Sequence, residues 1–83
     1  MSADLKLYVK IWCPWCVKAI RYLNEHGYSF EEIDVENDAA AYREMIRLSG
    51  QRLTPTLVVA DKVLPDFDPD ELEFFLKENN IEP

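Results

Sequence analysis

Basic residues, histidine, glycine and long apolar runs are all scarce in this chain, and each shortage removes a class of function. Nine Lys and Arg stand against sixteen Asp and Glu, a formal charge of −7. The basic face that a nucleic-acid or anionic-membrane binder presents is therefore missing. No apolar stretch nears the roughly 20 residues of a membrane span. Met1-Ser2-Ala3-Asp4-Leu5 has neither the basic lead nor the apolar core of a signal peptide. With 2 glycines and 5 prolines, collagen-like and low-complexity disorder are excluded. The expectation is a cytoplasmic monomer, free of nucleic acid and membrane, forming one domain over residues 1–83.

Cysteine is scarce too, at 2, beside a single histidine. A disulfide-stapled secreted domain of this size usually carries about four to eight cysteines. A closed zinc site takes about four ligands, and Cys13, Cys16 and His26 do not reach that number. No metal is expected, and His26 is given no role.

What the chain does have is a clear alternation of periods. Leu5, Leu7, Val9 and Ile11 alternate with Lys6, Tyr8, Lys10 and Trp12, the period of a strand. From Cys16 the period lengthens. Cys16, Ala19, Ile20 and Leu23 share a helical face, with Pro14 in the first turn and Gly27 as a stop. Tyr28 to Val35 reads as an outer strand. A second helix follows, capped by Asn37 or Asp38, with Ala41, Met45 and Leu48 inward and Arg43, Glu44 and Arg47 outward. Ser49 to Arg52 is a loop. Thr56 to Ala60 is an apolar strand buried on both faces. Asp61-Lys62 turns into a short strand, Lys62 to Leu64. Asp68, Pro69 and Glu71 mark the start of the last helix, whose inner stripe is Leu72, Phe75 and Leu76. The order β-α-β-α-β-β-α predicts an α/β fold, a four-stranded sheet covered by helices on both faces.

The chemistry sits at the first strand-to-helix junction, Cys13-Pro14-Trp15-Cys16. Spacing i, i+3 on a helix puts both sulfurs on one face, within reach of each other. At the helix N-cap, unpaired N–H groups and the helix dipole favour a thiolate at Cys13. A thiolate is the nucleophile of thiol–disulfide exchange. Cys16, deeper in the helix, reads as the protected resolving thiol. Such a motif at such a junction points to redox chemistry.

These residues resemble the glutaredoxin family. Lys10-Ile11-Trp12-Cys13-Pro14-Trp15-Cys16 is similar to its Lys-x-x-Cys-Pro-Tyr-Cys. Ser49-Gly50-Gln51-Arg52-Leu53-Thr54-Pro55 is similar to its Thr-Gly-x-x-Thr-Val-Pro loop. Phe67-Asp68 falls where the family carries Gly-Gly-x-Asp. The resemblance implies a thioredoxin fold with strand order 2-1-3-4 and three flanking helices. It implies reduction of protein disulfides or glutathione mixed disulfides, with glutathione as co-substrate and electron donor. It also implies a cis Thr54–Pro55 bond, with the Thr54 backbone turned toward the cysteines. Lys10 and Gln51 or Arg52 would meet the glycine carboxylate of glutathione, and Trp15 would flank it. The N–H groups of Phe67 and Asp68 would hold its other carboxylate. The Asp68 side chain either meets the α-amino group or only caps its helix. Where the family has Gly-Gly this chain has Pro65-Asp66, which removes an N–H and adds a carboxylate. Two further readings stand beside this one. One is a redoxin of the same fold reduced by a thioredoxin-reductase-type flavoprotein. The other is a carrier whose Cys13 thiolates, with glutathione, hold an iron–sulfur cluster between two chains.

Overall fold

Alternation carries the first strand, β1 (Leu5–Val9), but ends earlier than the pattern predicts. The computed structural model describes residues 4–83, so the part of the N-terminal reading that rests on residues 1–3 lies outside the described residues. Ile11 and Trp12 leave the sheet in a turn closed by the Cys13 N–H on the Lys10 carbonyl at 3.2 Å. Helix α1 (Pro14–Glu25) follows, then β2 (Phe30–Asp34), α2 (Ala39–Ser49), β3 (Thr56–Val59), β4 (Lys62–Pro65) and α3 (Pro69–Glu78).

The sheet order is β2-β1-β3-β4, with β1 parallel to β2 and antiparallel to β3, and β4 antiparallel to β3. This is the thioredoxin fold that the resemblance implies. Helices α1 and α3 cover one face over Leu5, Leu7, Val9, Leu57 and Val59, and Leu23, Leu72 and Leu76 close that core. Burying each such leucine contributes about 1.5–3 kcal/mol. Helix α2 covers the other face with Met45, against Tyr8, Val35 and Val58.

The cover on the α2 face corrects how that helix was expected to face. Tyr8 is completely buried, because α2 packs over its face of β1. Its phenol donates to the Glu44 carboxylate, so Glu44 turns inward although the pattern puts it on the wet side. Burial and that carboxylate together raise the Tyr8 pKa. Helix α2 is correspondingly rolled, and Leu48, expected inward, is exposed while Tyr42 packs on the core. The β3–β4 turn also shifts by one residue, to Ala60-Asp61, with Ala60 left-handed at φ 56°.

The helix ends follow local rules. Asp38 caps α2, and Gly50, at φ 72°, ends it. Asp68 caps α3 by accepting from the Glu71 N–H at 2.8 Å, while Glu71 accepts from the Asp68 N–H at 3.1 Å. Asp68→Ala should destabilise the protein by about 1 kcal/mol. A thermal melt should then show the midpoint about 4–8 °C lower. At the opposite end of α3, Ile81 is buried and its carbonyl accepts from the Tyr28 hydroxyl at 2.8 Å.

Candidate active site

Strand register gathers three loops at one end of the sheet. Residues 10–13 leave the C-terminal end of β1. Tyr8 pairs with Thr56, so residues 51–55 enter β3 at that end, and Thr56 pairs with Pro65, so residues 66–68 leave β4 there. Cys13 is the N-cap of α1 and lies at the meeting point.

Cys13 Sγ accepts the Cys16 N–H at 3.3 Å and donates toward the Thr54 carbonyl at 3.7 Å. Cys13 is 7% exposed and Cys16 fully buried. Burial pushes the Cys13 thiol pKa up. Hydrogen bonds from the Cys16 side chain and backbone, from the Thr54 side chain and from the Trp15 backbone outweigh it, and the net shift is downward. Burial and the bond to Cys13 push the Cys16 thiol up to about 11. The two sulfurs are unlike: the Cys13 thiol is shifted toward ionisation, and the Cys16 thiol beneath it is shifted away from it.

The remaining sequence candidates divide by whether their polar groups are free. The Thr54–Pro55 bond is cis, as the resemblance implies, and Pro55 is buried. Trp15 is half exposed, with the Lys18 ammonium 4.3 Å from its ring centroid. Arg52 is exposed. Gln51 is turned into its own loop. Its amide donates to Ser49 Oγ at 3.0 Å and Thr56 Oγ1 at 2.9 Å, and its carbonyl accepts from the Leu53 N–H at 2.5 Å. Lys10 is half-buried, its ammonium 5.5 Å from the Trp12 ring centroid and 5.9 Å from that of Tyr42.

Phe67 gives its ring to the core. The backbone around it is engaged: the Asp66 N–H donates to the Pro55 carbonyl at 2.8 Å, and the Asp68 N–H to Glu71. A shallow groove of about 190 Å³ runs between Trp15 and this segment, lined by Asp66, Phe67, Asp68 and Glu71. Its three carboxylates oppose an anion at short range. Asp66 is also left-handed at φ 48°, a conformation glycine adopts freely. The sequence marked Glu71 only as a helix signal; its occupation of the Asp68 N–H follows from the same spacing. The alternation marks Trp12 only as a strand residue. Its indole N–H donates to Glu36 across the loop after β2, a contact between residues 24 apart that no local pattern signals.

Comparison with known proteins bears on the family and the fold. The Glutaredoxin family profile matches residues 5–64. Glutaredoxin 3 of Escherichia coli (strain K12) is 35% identical over 57 residues, 69% of this chain and 69% of that protein. The crystal structure of the thioredoxin-like protein BC3987 superposes with a TM-score of 0.79 at 30% identity, covering 87% of this chain and 99% of that one. The NrdH-redoxin of Escherichia coli, described as a glutaredoxin-like protein with a thioredoxin-like activity profile, superposes at 0.72 with 27% identity, covering 86% and 92%. No helix among the described residues is long and apolar enough to cross a membrane.

Proposed function

Since the chain belongs to the glutaredoxin family, we propose that it is a dithiol–disulfide oxidoreductase with Cys13 as attacking thiolate and Cys16 as resolving thiol. The observation that carries this is the asymmetry of the pair. Cys13 Sγ sits on the Cys16 N–H at 3.3 Å with its pKa lowered, and Cys16 is buried with its pKa raised to about 11.

The Cys13 thiolate attacks one sulfur of a substrate disulfide. That S–S bond breaks, the far sulfur leaves as a thiolate, and a mixed disulfide forms on Cys13. Cys16 then attacks the Cys13 sulfur, its proton passing to the departing substrate thiolate. Two protein thiols become one disulfide, and the substrate disulfide gains two electrons and two protons. On a glutathione mixed disulfide, a second glutathione thiolate can take the place of Cys16. The Thr54 backbone beside Cys13 would pair with the substrate main chain, and the Trp15 ring would flank it.

Glutathione is the electron donor in the first reading, by family membership. Lys10 and Arg52 would supply local attraction for an anion on this face of a −7 protein. The second reading, a flavoprotein of the thioredoxin-reductase type as donor, is favoured by the groove. The N–H groups of Asp66 and Asp68 and the Gln51 amide already have partners within the chain, and three carboxylates line the wall. A coupled assay on the oxidised protein, run with glutathione plus its reductase and separately with thioredoxin reductase, decides between them. NADPH consumption in neither arm would sink the oxidoreductase reading.

The Pro65-Asp66 departure gives a graded test. Two carboxylates about 4 Å apart repel by roughly 1 kcal/mol even at the dielectric of water. Replacing Pro65-Asp66 by Gly-Gly should therefore lower the KM for a glutathione mixed disulfide by about threefold to tenfold. The fold should persist, because glycine suits the left-handed backbone of residue 66. An unchanged KM would leave Asp66 without influence on the groove.

A further inference from the structure

Helix α3 buries Leu72 and Leu76 and packs Phe75 on the core, yet it leaves Phe74 67% exposed. Phe74 stands six residues past the Asp68 cap, about 9 Å along the helix axis. It therefore lies away from the loops that converge on Cys13. A hollow of about 460 Å³ opens beside it, lined by Leu64 of β4, by Phe75, and by Asp70, Glu71, Glu78 and Asn79. An exposed aromatic at an apolar hollow with a polar rim marks an interaction surface.

Charge on α3 is sorted by face. Asp70 and Glu78 lie one turn before and one turn after Phe74, and Glu71 three residues before it; all three are exposed. Spacing i, i+3 and i, i+4 puts them on one face with Phe74. The one lysine of the helix, Lys77, is paired with Glu73 at 3.0 Å, and both charges bear on Tyr22 of α1. Lys62 of β4 lines a separate hollow with Asn79 and Asn80. Among the described residues, the lining around Phe74 thus holds three carboxylates and no cation.

That charge selects the occupant. A second copy of the chain brings the same −7, and self-pairing would set these carboxylates against their own kind. Strand addition is opposed as well. The edge strand β4 has 4 residues, with Lys62 at one end and Pro65 at the other, features that blunt an edge. Side-chain docking by a basic helix meets neither obstacle. We propose that the hollow around Phe74 docks a basic amphipathic helix of a protein partner. Leu64, Phe74 and Phe75 would take its apolar stripe, and Asp70, Glu71 and Glu78 its Lys or Arg side chains. The helix would lie along α3, whose span from Asp70 to Asn79 is about 13.5 Å. The surface stands apart from the disulfide chemistry and does not depend on the roles of Cys13 and Cys16.

The probe is a synthetic amphipathic helix of Leu and Lys, about 14 residues long. Its controls are a Leu–Glu and a Ser–Lys peptide of equal length. Each is titrated into the isotope-labelled protein at about 0.15 M salt, where exposed charges are screened beyond about 8 Å, and backbone amide shifts are followed. The Leu–Lys peptide should shift the amides of Leu64 and of residues 70–79 and leave those of residues 10–17 in place. Phe74→Ser, an exposed change that spares the core, should weaken binding about tenfold or more. Asp70→Asn combined with Glu78→Gln should weaken it about fivefold. Glu31→Gln combined with Glu32→Gln, exposed carboxylates of β2, should leave it within about twofold. Equal weakening by the β2 pair, equal binding of either control peptide, or shifts centred away from α3 would overturn the docking site. So would a parent chain that sediments as a dimer and returns to monomer in Phe74→Ser, because the hollow would then belong to a second copy. None of these results alters the reading of Cys13 and Cys16, which alkylation tests separately.

Discussion

Cys13→Ser is expected to reduce exchange on every disulfide substrate to the uncatalysed rate, while Cys16→Ser keeps turnover of glutathione mixed disulfides. A serine hydroxyl at the α1 N-cap still accepts the Cys16 N–H, so the helix start survives. It does not ionise near neutral pH and forms no disulfide, so the first step is lost. Cys16 cannot substitute: it is fully buried, and its pKa of about 11 leaves roughly one molecule in ten thousand ionised at pH 7. Cys16→Ser removes only the internal resolving step. On a protein disulfide the mixed adduct should then accumulate on Cys13 and be visible by intact mass. The measurement is steady-state turnover of both variants on a glutathionylated peptide, with mass spectrometry on a protein disulfide. Activity in Cys13→Ser together with its absence in Cys16→Ser would reverse the roles.

Iodoacetamide should modify Cys13 at pH 7 at least about a hundredfold faster than Cys16 in the reduced protein. Alkylation follows the thiolate population, which falls tenfold for each pH unit below a thiol's pKa. The Cys13 pKa is lowered because bonds from the Cys16 side chain and backbone, from the Thr54 side chain and from the Trp15 backbone outweigh its burial. The Cys16 pKa is raised to about 11. The sign in pH follows. Reactivity at Cys13 should reach half its plateau below the roughly 8.5 of a free thiol and disappear on acidification. Reactivity at Cys16 should grow only as pH climbs toward 11. Peptide mapping after timed alkylation from pH 5 to 10 reads both curves. Modification of the two cysteines at similar rates at pH 7 would remove the physical basis for the assigned roles.

What the sequence made legible was local in origin. Cys-Pro-x-Cys at a strand end, and Asp68-Pro69 with Glu71 three residues past the cap, encode helix starts within a few residues. The structure has both. The strand order and the cis Thr54–Pro55 bond came from the resemblance, not from periodicity. What was hidden depends on distance along the chain. Nothing local shows that Tyr8 is buried under α2, because its partner Glu44 is 36 residues away. Leu48 reads as inward because a stripe of three apolar residues does not reveal that Tyr42 packs on the core in its place. Gln51 reads as a free amide in a polar loop, whereas Ser49 and Thr56 capture it only once the loop has closed. Trp12 and Glu36 meet only because parallel β1 and β2 end side by side.

The Tyr28 hydroxyl on the Ile81 carbonyl bears on how the native state breathes. Leu5 pairs with Phe30, so this bond lies at the end of the sheet opposite the cysteines, where α1 and α3 both finish. Ile81 is buried against the core, and its N–H reaches back to the Leu76 carbonyl at 2.9 Å, as the Tyr28 N–H does to Leu23. Two helix ends distant in sequence are thereby fastened by one polar contact. Neither should fray alone. In native-state hydrogen exchange the amides of Tyr28 and Ile81 should share one opening free energy. Tyr28→Phe should lower both by a similar amount, about 1 kcal/mol for a lost hydrogen bond. At the thiol pole the converging loops are tied by the Asp66 N–H on the Pro55 carbonyl at 2.8 Å and by Cys13 Sγ on the Thr54 carbonyl at 3.7 Å; a thiol is a weak donor, so the sulfur contact should open before the far pole does.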